Sequence, residues 1–112
     1  MPQPVVHFEI GCQDLAASAS FYAKAFGWDI NEQQTMVPHT ANGIGGHLNS
    51  LGHEPHRYVL FYIQVDDLDA SLKTIESLGG RTIVPPTEVP NMGHFAWFQD
   101  PEERVLGLWK PL

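Results

Sequence analysis

A chain of 112 residues with 43% hydrophobic and 11% aromatic residues has enough apolar material for one compact unit with a real core, which excludes a disordered polypeptide. Thirteen acidic against six basic residues give a formal charge of −7 and a pI near 5.1, which argues against a nucleic-acid partner and would suit a cationic ligand. One cysteine, Cys12, permits no intrachain disulfide and no cysteine-rich zinc site.

The chain opens on Met1-Pro2-Gln3-Pro4, without the basic segment and apolar stretch of a signal peptide, so a cytoplasmic protein is expected. In the first strand candidate, Val5–Ile10, alternation places Val6, Phe8 and Ile10 on one face and His7 and Glu9 on the other. Cys12 reads as a small buried residue rather than a nucleophile, since nothing nearby is electropositive. Asp14 is a natural helix N-cap, Leu15, Ala19, Tyr22 and Phe26 follow at helical spacing, and Gly27 stops the helix. Trp28–Asn31, Thr35–Val37 and Gly43–Asn49 are shorter strand candidates, and residues 51–57, with Gly52, His53, Pro55 and His56, read as a linker.

The second half repeats the first. Residues 7–30 laid without a gap over residues 60–83 give eight identities in 24 positions, among them Phe8/Phe61, Ile10/Ile63, Asp14/Asp67 and Gly27/Gly80. Tyr58–Val65 is then a strand with Val59, Phe61, Ile63 and Val65 on one face, Phe61 and Ile63 being assigned to the core, and Tyr58, Leu60, Tyr62 and Gln64 on the opposite face. A helix follows, from Asp67 to Gly79-Gly80. Arg81–Val84, His94–Gln99 and Arg104–Lys110 supply the remaining strands, with Pro85-Pro86 and Asp100-Pro101 as punctuation.

The expectation is therefore an α+β fold over residues 1–112. Two strand–helix–strand–strand–strand modules, about 4–50 and 57–111, form a cupped mixed sheet with a central cleft. The strand faces turned away from the helices would line that cleft, which assigns it His7, Glu9, Leu60 and Tyr62. No segment is long and apolar enough to span a bilayer, so no membrane partner is expected.

The strings His7-Phe8-Glu9-Ile10, Asp14-Leu15, Phe26-Gly27-Trp28, Gly43-Ile44-Gly45-Gly46 and Val65-Asp66-Asp67-Leu68 resemble the vicinal oxygen chelate superfamily, as do Asp100-Pro101 and Gly107-Leu108-Trp109. This is the glyoxalase/bleomycin-resistance/dioxygenase group, and the resemblance runs through nearly the whole chain. It implies paired βαβββ modules around a divalent metal, lyase, isomerase, epimerase or dioxygenase chemistry, and in some members metal-free drug binding. It also implies a homodimer.

On that resemblance the four metal positions fall at His7, His47, Leu60 and Gly107, of which the last two carry no donor. Two imidazoles alone hold a metal weakly, so no protein-held metal is expected, a divalent ion through His7 and His47 being the alternative. His94 could approach from the second module if its register allowed. His39, His53 and His56 sit among loop-forming residues and read as loop histidines.

The reading is a protein that binds a small organic molecule, with His7 and Glu9 as candidate catalytic residues and His47, Leu60, Tyr62, Gly107 and Trp109 as ligand-binding ones. Gly107 would leave a space that widens the pocket. By resemblance the chemistry is that of a lyase or isomerase; the rival is a metal-free protein that sequesters a drug or metabolite.

Overall fold

The computed structural model describes residues 2–31, 36–50 and 58–112. The linker reading, His53 and His56 lie outside the described residues. Among the described residues seven strands and two helices make an α+β fold with a mixed sheet: β1 (Val5–Gly11), α1 (Leu15–Phe26), β2 (Met36–Val37), β3 (Gly45–Asn49), β4 (Tyr58–Gln64), α2 (Leu68–Ser77), β5 (Arg81–Val89), β6 (Gly93–Gln99) and β7 (Val105–Pro111). The chain divides into two compact units, His7–Leu60 and Phe61–Leu112, the second joined by the N-terminal segment through Val6.

In the His7–Leu60 unit the strand order is β2-β3-β1, with β3 parallel to β1 and antiparallel to β2. Asp14 caps α1 by accepting from the Ala17 backbone N–H, and Gly27 ends it at a φ of 71°, a left-handed conformation that glycine adopts without penalty. Cys12, Ala19, Val37 and Leu48 form the buried core, with Phe8, Ile10, Leu15, Tyr22, Trp28 and Ile30 packed around it.

Trp28–Asn31, expected as a strand, is not one. Past the Gly27 cap Trp28 stacks on Tyr22 at 4.9 Å and packs against Phe8, while Asn31 bonds to Met36. The Asn31 N–H donates to Met36 O, and Asn31 Oδ1 accepts from the Met36 N–H. The aromatic contacts outweigh the local strand preference.

The Phe61–Leu112 unit has the order β4-β7-β6-β5, with β4 and β7 parallel and the other pairs antiparallel. Asp67 caps α2 on the Ala70 N–H, as Asp14 does 53 residues earlier. Val65, Leu68, Leu72, Ala96, Phe98 and Leu108 make its core, with Ile63, Ile75 and Leu106 against it.

Three expectations are corrected here. Pro85-Pro86 does not end the strand: β5 runs through both as the last strand of its order, with shifts of register on either side of Val84, and the end of a ladder is where a residue lacking an N–H is tolerated. Phe61 is 44% exposed rather than core. The α2-side cluster takes up Ile63 and Val65 but does not extend two residues further back along the same face. Gly107 leaves no space, because a Cβ built on it would overlap the Tyr62 ring, which already fills that position.

Gly107→Ala should therefore displace the Tyr62 ring and weaken its bond from Trp97 Nε1 (2.9 Å). The expected loss of stability is about 1–3 kcal/mol, read as a lower urea midpoint at unchanged slope.

Candidate functional site

Pleating puts His7, Glu9 and Gly11 on the face of β1 turned away from Phe8 and Ile10, and His47 and Asn49 on the same face of β3. The parallel register sets Glu9 beside His47 and Gly11 beside Asn49. Polar side chains two residues apart on neighbouring strands thus converge without any loop.

The contacts form a chain. His7 Nε2 lies 2.7 Å from His47 Nδ1, and His47 Nε2 lies 3.3 Å from Glu9 Oε1. Glu9 Oε2 accepts from Asn49 Nδ2 at 3.3 Å and from the Tyr58 hydroxyl. Glu9 is 1% exposed, whereas both imidazoles are half-buried.

Two glycines make the approach. A Cβ on Gly11 would overlap the Tyr58 ring, so only glycine lets that ring lie against β1 and reach Glu9. A Cβ on Gly45 would meet Val37 O at 2.5 Å and the His39 N at 2.7 Å, so the chain entering β3 passes close by. This brings in His39, whose Nδ1 accepts from the Gly45 N–H at 3.1 Å.

Burial, then the neighbouring His47 and His39 rings, push His7 down from the ordinary 6.5 to about 4, with Glu9 pulling weakly the other way. At neutral pH His7 is an uncharged imidazole, able to accept a proton. Burial and the bond to Glu9 raise Tyr58 above the ordinary phenol range, so it stays a protonated donor.

Of the residues singled out in the sequence, the structure brings together His7, Glu9 and His47. Glu9 is buried behind the His47 ring, 3.3 Å from its Nε2. Leu60 is 3% exposed. Tyr62 and Gly107 pair with each other across β4 and β7, the Tyr62 ring held by Trp97 and edge-on to Phe95, and Trp109 stands half-buried opposite Gln64 and Phe95. His94 is exposed, in register with Glu88 and Lys110. Asn49, Tyr58 and His39 were missed, although Tyr58 follows the period-two signal that marked Leu60, and Asn49 lies two residues beyond His47 on the same strand.

The residues do not fit a metal of the kind the resemblance implies. His7 addresses Nδ1 of His47 and Glu9 addresses Nε2, on opposite edges of one ring, so a single ion cannot take all three. Leu60 and Gly107 offer no donor. Among the described residues no group of three His, Cys, Asp or Glu converges to hold an ion.

The model of the Glyoxalase/Bleomycin resistance protein/Dioxygenase superfamily matches residues 5–106. The anthracycline biosynthesis protein DnrV of Streptomyces peucetius is 28% identical over 92% of this chain, and the chain spans 45% of that protein's length. A glyoxylase-like domain-containing protein of Didymella fabae is 28% identical over 84% of this chain and 83% of its own length. Among solved structures, a variant of Streptomyces coelicolor methylmalonyl-CoA epimerase in complex with 2-nitronate-propionyl-CoA superposes with a TM-score of 0.66 at 18% identity. It covers 99% of this chain and 96% of its own. No helix among the described residues is long and apolar enough to cross a membrane.

The lowered His7 sets a pH dependence of stability. Between about 4 and 6.5 the unfolded chain binds a proton at His7 that the folded chain does not, so stability rises with pH through that window and is lost as pH falls through it. After discounting for solvent screening the effect is roughly 1–2 kcal/mol. Urea midpoints at pH 7.5 and 4.5 should differ by less in His7→Gln than in the wild type.

Proposed function

This chain belongs to the glyoxalase/bleomycin resistance protein/dioxygenase superfamily, and on that premise we propose that it binds a small organic molecule against the imidazole face of β1 and β3. The observation that carries the reading is the His7–His47–Glu9 chain, an uncharged imidazole backed by a second imidazole and a buried carboxylate. Such a base removes a proton from carbon next to a carbonyl and returns it, the chemistry of an isomerase or lyase.

His7 is the group that exchanges the proton with the ligand, and no protein-held metal takes part. The ligand is an uncharged or cationic carbonyl compound. Thirteen acidic against six basic residues disfavour the polyphosphate of a CoA thioester, despite the ligand of the epimerase complex. The protein acts in the cytoplasm as a homodimer, for which the exposed Val59 and Phe61 of β4 offer apolar surface.

Carbonyl and aromatic compounds should be screened by saturation-transfer NMR, and hits incubated with the protein in D2O. Exchange of the α-proton by the wild type, and its loss in His7→Ala by about 10²-fold or more, is the expected result. Binding with no exchange and no turnover would favour the sequestering reading over the enzymatic one.

Calorimetric titration with Ni²⁺, Zn²⁺ and Mn²⁺ should show no near-stoichiometric binding at micromolar protein. Stoichiometric metal that disappears in both His7→Ala and His47→Ala would overturn the metal-free assignment.

A further inference from the structure

The sequence holds four asparagines, and the fold engages three of them. Asn31 exchanges bonds with Met36, and Asn49 on β3 donates its side-chain amide to Glu9. Asn91 precedes Met92, whose N–H is held by Val89 O at 3.0 Å. Asn42 differs. It is exposed in the turn of residues 40–43 that leads toward β3, and among the described residues its side-chain amide makes no hydrogen bond.

Its successor is Gly43. The Gly43 N–H reaches Thr40 O at 3.4 Å, longer than the roughly 2.7–3.2 Å of a good N–H···O bond. The returning bond, from the Thr40 N–H to Gly43 O, is 3.1 Å, and this bridge stands outside the named strands. One weak pair at the surface opens readily, which frees the Gly43 nitrogen. No side chain shields that nitrogen. A Cβ built on Gly43 would find only Thr40 Oγ1, at 3.9 Å, and the φ there is not positive. Local packing therefore does not demand glycine at 43, in contrast to Gly45 and Gly46, where a Cβ would meet backbone oxygen at 2.5 Å.

We propose that Asn42 is a site of spontaneous deamidation, through a cyclic imide closed by the Gly43 nitrogen. That nitrogen gives its proton to solvent and bonds to Cγ of Asn42. The Cγ–Nδ2 bond breaks, and Nδ2 takes a proton from water and leaves as ammonia. Water then opens the ring. Attack at Cγ yields aspartate in the ordinary chain, and attack at the backbone carbonyl carbon of residue 42 yields isoaspartate, whose main chain runs through Cβ and Cγ. One water enters, one ammonia leaves, and nothing is oxidised. Either product adds a carboxylate to a chain whose formal charge is already −7.

The isoaspartyl form also changes the backbone. Its main chain is longer by one methylene, so residues 40 and 43 lose the spacing that their mutual bonds require. The chain continues from there to Gly45, which passes close to Val37 and His39 and donates its N–H to His39 Nδ1 at 3.1 Å. That bond is the first beyond the turn to feel the insertion.

The protein should be aged in mildly alkaline buffer, digested, and its peptides separated and identified by mass spectrometry. Asn42 should convert to aspartate and isoaspartate at a rate within about tenfold of that in a synthetic peptide of residues 38–46, because the turn gives little protection. Asn31, Asn49 and Asn91 should remain amides. Gly43→Ala should fold with a urea midpoint no lower than that of the wild type and convert several-fold more slowly, since its Cβ hinders the nitrogen. In ¹H–¹⁵N spectra the Gly45 amide should move as isoaspartate accumulates, and far less in Asn42→Asp, which adds the charge without the methylene. An intact Asn42, conversion slower than the peptide comparison allows, or equal conversion in Gly43→Ala would each overturn the modification site. A Gly45 amide that stays in place would overturn the link from the turn to β3.

Discussion

A carboxylate with 1% of its surface exposed is the constraint around which the His7–Leu60 unit is arranged. Moving an ion of that size out of water costs several kcal/mol, and the cost is offset only where good donors replace the lost hydration. Glu9 finds them on two other strands: His47 and Asn49 from β3, and Tyr58 from β4. Each requirement fixes something else. The β1–β3 register must hold Glu9 beside His47, since a slip of one residue would turn His47 to the opposite face. Gly11 must lack a Cβ so that Tyr58 can lie across the strand. His7, the ring at the far end of this chain from the carboxylate, owes its position to all of them.

Strand β4 shows what the corresponding position of the other helix-preceding strand does without the carboxylate. Strand β4 begins 53 residues after β1, so Tyr62 stands where Glu9 stands, and it pairs with Gly107 as Glu9 pairs with His47. The carboxylate–imidazole contact is replaced by a ring that fills the space over glycine and accepts a bond from Trp97. The two corresponding strands, β1 and β4, thus solve the same packing problem differently. One leaves polar groups on the strand face, and the other closes that face with aromatic side chains. Shared backbone geometry with divergent filling is how one fold comes to host different chemistry.

Much of the fold was legible from residues acting locally. Asp14 and Asp67 cap helices because a carboxylate reaches only its own first turn, and Gly27 ends one because only its own φ matters. Alternation placed His7 with Glu9, because pleating is a property of a single strand. Legibility failed where distant groups decided. Trp28 left its expected strand for Tyr22 and Phe8, and Phe61 lay beyond the cluster that takes Ile63.

The family, the repeated module, the helix boundaries and the placing of His7 with Glu9 on one face all follow from the order of the residues, because each rests on short-range geometry or on a repeat that spans the chain. Other facts came only with folding: that Glu9 is buried, that Asn49 and Tyr58 hold it, that His47 stands between it and His7, and that Tyr62 fills the place opposite Gly107. Those depend on which strands are neighbours and in what register. Register is set by the summed packing of the core, and no single residue carries it.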